Sequence, residues 1–237
     1  MRGRPSAERA ARSFKPRGRL TAQQRQYLES DATAILVAPS EGGVDWDRVF
    51  GRAAPLVVDV GFGDGGSTLH YAARHRDVNI VGIDVHRPGI ANIARAAALE
   101  GLAHVRVVAA DALDALRYMF AEDSVDLVQV AFPDPWPKPV QRHRRLVDEA
   151  FVALVAGRLA AAGELRLATD VDDYAAQMLA VTGRCAVLRN PHGGYAPRFE
   201  ERPVTRFERR AIRENRVVRD LVVRKVGPMA ASPGTGP

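Results

Sequence analysis

The stretch that decides the fold of this 237-residue chain is Leu56-Val57-Val58-Asp59-Val60-Gly61-Phe62-Gly63-Asp64-Gly65-Gly66. Its first five residues form a short apolar run with a single acid, which is typical of a buried strand. The glycines that follow satisfy both G-x-G-x-x-G and G-x-G-x-G, so the chain turns tightly and lets a ligand approach the backbone. The stretch therefore predicts a strand, a glycine loop and then a helix.

Strands and helices alternate along the rest of the chain. We predict seven strands, at 56–60, 79–85, 105–108, 125–132, 164–168, 186–189 and 217–226, and helices at 67–76, 89–100, 113–120, 144–159 and 174–182. Strict alternation places crossover helices between parallel strands. The predicted fold class is α/β: a Rossmann-like, mostly parallel, seven-stranded sheet with helices on both faces. Ligands of such sheets bind beyond the carboxyl ends of the strands.

Composition excludes several classes of protein. A hydrophobic fraction of 46% is ordinary for a globular protein, and one cysteine, Cys185, excludes an intramolecular disulfide framework. No apolar run approaches the roughly 18–20 residues of a membrane helix, and the first residues lack the apolar stretch of a secretory signal. The six histidines show no ligand spacing, so we predict no metal site. We expect a soluble, cytoplasmic protein that does not act at a membrane.

The net charge of +6 is concentrated near the first residue. Residues 1–26 hold eight basic residues and one acid, whereas the remainder holds 26 basic and 27 acidic residues. We expect a basic, flexible arm at 1–19, a single domain at 20–226 and a flexible tail at 227–237. The arm either contacts nucleic acid or is a solvated tail. A transit peptide is disfavoured because Pro5, Pro16 and Gly18 oppose the amphipathic helix it needs.

Three acids accompany the predicted glycine loop of Gly61, Gly63 and Gly65. Asp59 lies in the first strand, Asp84 ends the second, and Asp111 follows the third. An acid at the end of the second strand suits the hydroxyls of a ribose, as found in NAD and in S-adenosylmethionine. The carboxylates of Asp59 and Asp64 would oppose a pyrophosphate but attract a sulfonium and an ammonium, which favours S-adenosylmethionine. Asp111 is either an adenine contact or a helix N-cap.

The segment at 131–139, Ala-Phe-Pro-Asp-Pro-Trp-Pro-Lys-Pro, follows the fourth predicted strand. Its four prolines restrict φ and predict a rigid loop, which brings Asp134, Trp136 and Lys138 to the carboxyl edge of the sheet. From Lys138 to Arg145 the chain carries a charge of +4 with no acid. Cations beside an aromatic ring suit an RNA backbone and a stacked base. The alternative is that Trp136 covers the edge of the core and the arginines face solvent.

Two later features belong to the same edge. Asp170 follows the fifth strand directly, in Ala168-Thr169-Asp170. Residues 198–219 hold eight arginines and four acids. They form either a second basic wall or a surface helix with internal salt bridges.

Together these segments resemble the bacterial tRNA (guanine-46-N7)-methyltransferase family from about Leu56 to Lys225. The resemblance rests on five short segments, which occur in the order expected for the family. They are 59–63 (DVGFG), 82–89 (GIDVHRPG), 129–136 (QVAFPDPW), 168–170 (ATD) and 202–208 (RPVTRFE). The proline-rich segment and the last segment are far more specific than the glycine loop.

The resemblance implies a class I methyltransferase fold and methyl transfer from S-adenosylmethionine to N7 of guanine 46, in the variable loop of tRNA. It implies tRNA as the partner, no obligatory protein partner, and a monomer or homodimer. Asp134 matches the catalytic residue, which lies beside the cofactor. The matched cofactor contacts are Asp59, Gly61, Gly63, Gly65, Asp84, Asp111 and Asp134, and the matched substrate contacts are Lys138, Asp170, Thr205, Arg206, Phe207 and Glu208.

The chain departs from the family pattern at a few positions. Asp59 and Asp84 replace the usual glutamates, Arg206 replaces a common lysine, and Val140 and Gln141 stand where Arg-His is usual. Other functions remain open. An amino-group nucleic-acid methyltransferase would use a related loop, a nicotinamide-dependent oxidoreductase would use the glycine pattern, and an RNA-binding protein could keep the fold without turnover.

Overall fold

The computed structural model describes residues 20–30 and 35–227, which form one eight-stranded sheet with helices on both faces. The strands are β1 (Leu36–Val37), β2 (Leu56–Val60), β3 (Asn79–Ile83), β4 (Val105–Val108), β5 (Val125–Ala131), β6 (Leu159–Thr169), β7 (Leu188–Arg189) and β8 (Arg219–Lys225). The helices are α1 (Ala22–Ser30), α2 (Trp46–Phe50), α3 (Gly66–Arg74), α4 (Arg87–Glu100), α5 (Ala112–Met119), α6 (Glu149–Arg158), α7 (Asp172–Gly183) and α8 (Arg206–Arg213), and a 3-10 helix spans Pro139–Arg144.

The strand order is β1-β4-β3-β2-β5-β6-β8-β7. All neighbours are parallel except β8, which runs antiparallel to β6 and β7. The chain winds outward in one direction from β2 through β3 to β4, and in the other direction from β5 onward. The carboxyl ends of β2 and β5 therefore flank the point where the winding reverses, which is where such sheets bind ligands.

Two apolar clusters cover the two faces of the sheet. On one face Val58 and Val60 pack with residues of α5, α6 and α7, such as Leu116, Phe151 and Tyr174. On the other face Val57 packs with residues of α3 and α4, such as Ala72 and Ile93. Successive residues of β2 alternate between the faces, as the pleat of a strand requires. This arrangement confirms the predicted fold class.

Several elements differ from the sequence prediction: β7 and β8 are shorter than predicted, and α1 and α2 were not predicted. The helix predicted at 144–159 begins only at Glu149, because the side chain of Asp148 accepts a hydrogen bond from the Phe151 N–H at 2.9 Å and caps α6. The strand predicted at 164–168 is longer, since β6 begins at Leu159. The eighth strand, β1, was not predicted because two residues give no periodicity to detect.

The predicted flexible arm at 1–19 lies outside the described residues, as does most of the predicted tail. Within residues 20–30 and 35–227, every helix is too short or too polar to cross a membrane.

Candidate active site

A cavity of about 620 Å³ opens at the carboxyl ends of β2, β3, β4 and β5. Its wall includes the glycine loop after β2, the ends of the next three strands and the segment before α8. The sequence-predicted residues that line it are Asp59, Gly61, Gly63, Asp84, Asp111, Asp134, Thr205, Arg206 and Phe207. The topology thus brings together most of the residues that the sequence singled out.

The glycine loop needs left-handed backbone at three positions. Gly61, Gly63 and Gly65 have φ values of 73°, 62° and 84°. A Cβ added at Gly61 or Gly63 would meet no atom within 4 Å, so the backbone there is open to a ligand. A Cβ at Gly65 would lie 2.4 Å from Ile93 Cγ1, so this glycine instead allows the loop to pack on α4. Two of the three glycines therefore expose the backbone and the third supports it.

Both backbone polar groups of Gly63 contact residues that follow β3. The Asp84 carboxylate accepts hydrogen bonds from the Gly63 N–H at 2.7 Å and from the His86 N–H at 2.8 Å. His86 Nδ1 lies 2.9 Å from the Gly63 carbonyl oxygen. Asp84 therefore shapes the loop in addition to lining the cavity, a role that the sequence analysis did not identify.

Asp59 is the most buried acid of the site. Its Oδ2 accepts a hydrogen bond from Thr68 Oγ1 at 2.6 Å, and 4% of its surface is exposed. Burial raises the pKa of Asp59 to about 6, hydrogen bonds from Thr68 and Gln129 oppose that rise, and the charge of Asp84 adds to it. A cation bound in the cavity would favour the ionised form of this carboxyl.

Asp111 is a helix N-cap, which is one of its two open interpretations, and the adenine contact stays a prediction. Its Oδ1 accepts hydrogen bonds from Leu113 N–H at 2.9 Å and Asp114 N–H at 3.4 Å, so it caps α5. Asp111 also lines the cavity. The remaining loop acid, Asp64, is exposed and accepts a hydrogen bond from Gly66 N–H at 3.1 Å.

The proline-rich loop leaves β5 in an unusual conformation. Phe132 and Trp136 have φ values of 54° and 42°, which residues other than glycine rarely adopt. Between them, Asp134 is solvent-accessible but lies within the concave wall of the cavity. This partial desolvation, together with the charge of Asp84, raises the pKa of Asp134. Strain of this kind is concentrated at functional sites.

The predicted substrate residues fall into two groups. Thr205, Arg206 and Phe207 line the cavity, and the Phe207 ring stacks on Phe132 with centroids 6.0 Å apart. Thr205 Oγ1 also accepts a hydrogen bond from Glu208 N–H at 3.1 Å and caps α8. The other three do not line the cavity. Lys138 is exposed, Asp170 forms an ion pair with Arg216, and Glu208 is buried in a charged cluster.

That charged cluster contains residues that the sequence analysis missed. Arg198 donates to Glu208 Oε1 at 2.6 Å, and the Arg202 guanidinium lies 3.5 Å from Glu208 Oε2. Arg202 also forms a two-pronged pair with Asp220 of β8, with Nη2 to Oδ2 at 3.1 Å. The guanidinium lies 5.4 Å from the centre of the Phe132 ring. An acid in a predicted strand, Asp220, was the available signal, since a buried carboxylate needs a partner.

Both interpretations of residues 198–219, a second basic wall and a surface helix with internal salt bridges, apply in part, since Arg210 in α8 pairs with Glu214 at 2.8 Å. Arg202 is buried and supports the fold, whereas Arg206 and Arg209 are exposed and line the cavity. In the first basic segment, residues 138–145, Arg144 lies 5.0 Å from the centre of the Trp136 ring, and Arg145 is buried. The expectation that Arg145 faces RNA or solvent is wrong. Among the described residues, no group of three acidic, histidine or cysteine side chains could hold a metal ion.

Comparison with known proteins identifies close relatives. The methyltransferase family model Methyltransf_4 matches residues 53–221. A tRNA (guanine-N(7)-)-methyltransferase of Paraburkholderia xenovorans (strain LB400) is 42% identical over 220 residues, which cover 92% of this chain and 85% of the relative. The protein of the same name from Burkholderia cenocepacia (strain HI2424) is 40% identical over 222 residues, covering 93% and 87%.

Solved structures share the fold at lower identity. The aminoglycoside resistance methyltransferase NpmB1 superposes with a TM-score of 0.52 at 22% identity, covering 77% of this chain and 92% of its own. The [4+2]-cyclase SpnF also gives 0.52, at 16% identity, covering 86% and 93%. Since one of these two is named as a cyclase, the fold alone does not determine the reaction.

Proposed function

The chain belongs to the tRNA (guanine-N(7)-)-methyltransferase family, and we propose that it transfers the methyl group of S-adenosylmethionine to N7 of a guanine in tRNA. We propose further that this guanine is at position 46, in the variable loop. The observation that carries the proposal is the division of the cavity. The carboxylates and the open glycine backbone belong to β2, β3 and β4 and the loops that follow them, whereas Asp134 follows β5 on the other side of the reversal, where Phe207 of α8 stacks on Phe132.

The residues present fit the cofactor. The backbone of Gly61 and Gly63 is open, which permits close approach of a ligand. The acids at Asp59, Asp84 and Asp111 suit an ammonium, ribose hydroxyls and an adenine edge, and no basic side chain projects from the loop to bind a pyrophosphate. The burial of Asp59 strengthens its attraction for a cation because the local dielectric is low. When bound, S-adenosylmethionine supplies an electrophilic methyl group on a sulfonium.

N7 of guanine carries an in-plane lone pair and no proton, so the chain need not supply a general base. Its task is to align N7 with the methyl group, and proximity and orientation can contribute much of the rate. Asp134 extends from a loop whose backbone is restricted by Pro133 and Pro135. Its carboxylate would accept hydrogen bonds from the base and stabilise the positive charge that methylation places on guanine. It would not accept a proton.

The tRNA would approach over the exposed basic side of the cavity. Arg206 and Arg209 line it from α8, and Lys138 and Arg142 are exposed on the segment that follows Trp136 in the chain. Phe207, 43% exposed, and Trp136 offer rings on which a base could stack. Phosphate contacts of this kind weaken as salt rises. We propose that the reaction takes place in the cytoplasm and that a monomer or homodimer suffices.

The test uses purified protein, methyl-labelled S-adenosylmethionine and two tRNA transcripts that differ only by guanine or adenine at position 46. Label recovered as 7-methylguanosine from the first transcript alone is the expected result. Equal label in both would retain methyl transfer but refute the position. Label on an exocyclic amino group would indicate an amino-group methyltransferase. If the protein binds cofactor and tRNA without any incorporation, it is an RNA-binding protein on a methyltransferase fold.

A further inference from the structure

The buried arginine of the first basic segment contacts the backbone of the proline-rich loop. Arg145 is 2% exposed, and its Nε donates to the Pro135 carbonyl oxygen at 2.8 Å. That carbonyl lies between Asp134 and Trp136 in the sequence. Within the described residues, this is the one side-chain hydrogen bond to the backbone of residues 132–138. Arg145 therefore connects the loop to the body of the protein.

The other end of the same guanidinium is fixed to α7. Nη1 donates to Gln177 Oε1 at 2.9 Å and Nη2 to Asp173 Oδ2 at 2.8 Å. The group also lies 4.6 Å from the centre of the Tyr174 ring. One planar, rigid side chain thus joins three acceptors on two segments, a geometry that lysine cannot reproduce because it offers a single donor atom.

The loop conformation requires such a restraint. Phe132 and Trp136 both lie in the left-handed region, and each such residue costs of order 1–3 kcal/mol and persists only where its surroundings enforce it. The Arg145 bond falls between the two strained positions. Losing it would leave the loop free to relax, and Asp134 would move with it.

We propose that Arg145 is a positioning residue for methyl transfer, which holds Asp134 in place through the Pro135 carbonyl. We expect no contact with the tRNA, because the guanidinium is buried and each of its three nitrogens donates to a protein acceptor. The neighbouring Arg142 is different: it is exposed and pairs with Asp173 at 2.7 Å. The inference rests on the proposed function, but one of its two readouts does not depend on activity.

The first readout is steady-state kinetics of Arg145→Lys. We expect kcat to fall by roughly 30-fold or more, while KM for tRNA and the Kd for S-adenosylhomocysteine change less than about threefold. The matched control is Arg158→Lys. Arg158 is a partly buried arginine that, like Arg145, donates to backbone carbonyls, of Leu116 at 2.9 Å and Arg117 at 3.1 Å, but away from the cavity. We expect the control to keep its kcat.

The second readout is acrylamide quenching of Trp136 fluorescence in a Trp46→Phe background, where Trp136 is the one remaining tryptophan. We expect Arg145→Lys to increase the quenching constant about twofold and Arg158→Lys to leave it unchanged. If Arg145→Lys does not fold, Asp173→Asn removes the charge partner at an exposed site and should produce the same two changes in weaker form.

An unchanged kcat and unchanged quenching in a folded Arg145→Lys protein would overturn the proposal. A loss confined to KM for tRNA, with a salt dependence reduced by one phosphate contact, would overturn it in favour of an RNA contact. A wild-type protein that transfers no methyl group would refute the proposed function instead, and quenching would still test whether Arg145 fixes the loop.

Discussion

The carboxylate of Asp84 accepts a hydrogen bond of 2.7 Å from the N–H of Gly63, which precedes it by 21 residues. The same carboxylate accepts from the His86 N–H, so one side chain ties the glycine loop to the end of β3. The glycine loop follows β2, which is the parallel neighbour of β3, so the ends of the two strands are fixed relative to each other. The shape of the loop is set by a residue that also faces the cavity.

Asp84→Ala should weaken binding of S-adenosylhomocysteine by about 10-fold to 100-fold, since hydrogen bonds to charged groups contribute about 1.5–3 kcal/mol. Calorimetric titration measures the change. The control is Asp126→Ala, which removes a similar bond, from Leu56 N–H at 2.7 Å, outside the cavity. We expect the control to lower thermal stability without changing affinity, and equal affinity losses in both variants would contradict this role.

Gly89→Ala should strongly reduce cofactor binding. A Cβ at Gly89, in the first turn of α4, would lie 1.8 Å from the Gly63 carbonyl oxygen and would push the glycine loop away. Gly157→Ala, in α6, meets no atom within 4 Å and should stabilise the protein by at most ~1 kcal/mol because alanine favours helix. Thermal melts with and without S-adenosylhomocysteine test both variants; a ligand-induced shift retained in Gly89→Ala would count against the argument.

Asp134→Asn should lower kcat by roughly 100-fold while the protein still binds cofactor. The amide keeps an acceptor oxygen but removes the negative charge that would stabilise methylated guanine, and losses of about 10² to 10³ are typical for one such electrostatic group. Single-turnover methylation with saturating tRNA gives the rate of the chemical step. Near wild-type turnover would show that the charge of Asp134 is dispensable.

The pH dependence of stability should reveal Asp59. Its pKa is about 6 in the folded protein against an ordinary 3.8, so the folded state binds the proton more tightly than the unfolded state. Because the pKa is raised, the free energy of unfolding of the cofactor-free protein decreases as pH rises from about 4 to 6. The decrease is about 3 kcal/mol, since a pKa difference of one corresponds to about 1.36 kcal/mol.

Asp59→Asn removes this titration and isolates its contribution. Relative to the wild type, the variant should become more stable as pH rises through that window, because its amide cannot ionise and can still accept the hydrogen bond from Thr68. Urea unfolding at several pH values between 4.5 and 7.5 measures the difference. Parallel stability profiles for the two proteins would contradict the raised pKa. The variant should also bind the cationic cofactor more weakly at pH 7.

A protein beginning at Leu20 should bind tRNA with a weaker dependence on salt. The deletion removes seven of the eight basic residues in the first 26 positions, and each lost phosphate contact lowers the slope of log affinity against log salt by about 0.7–0.9. Filter binding from 50 to 300 mM salt compares the two forms. An identical slope would mean that residues 1–19 do not contact RNA.

The central strands and the glycine loop could be predicted from sequence because their signals are local. Each of β2, β3 and β4 is a short, largely apolar run, and the positions of the acids near their ends follow from the topology. The burial of Arg145 and Glu208 could not be predicted, since their partners come from other segments of the chain. Arg145 pairs with Asp173, and Glu208 pairs with Arg202, which in turn pairs with Asp220. Buried and exposed charged residues look alike in the sequence, and only the tertiary pairing distinguishes them.

The start of α6 was missed for a different reason. Leu146 and Val147 continue the helical apolar pattern backward, but the Val147 N–H donates to the Tyr174 hydroxyl at 3.0 Å and Asp148 caps the helix. Periodicity records which residues are buried and not which backbone they adopt. Here an N-cap residue was the better signal.

The backbone of the segment from Phe132 to Pro139 bears on the entropy of the proposed association with tRNA. Four prolines, together with the Arg145 hydrogen bond to the Pro135 carbonyl, leave this segment few alternative conformations once the protein has folded. Its conformational entropy is lost during folding and not during the encounter with RNA. Under the proposed function, binding of tRNA would therefore not incur the cost of ordering this backbone, roughly 1–2 kcal/mol per residue, that a pliable loop would add.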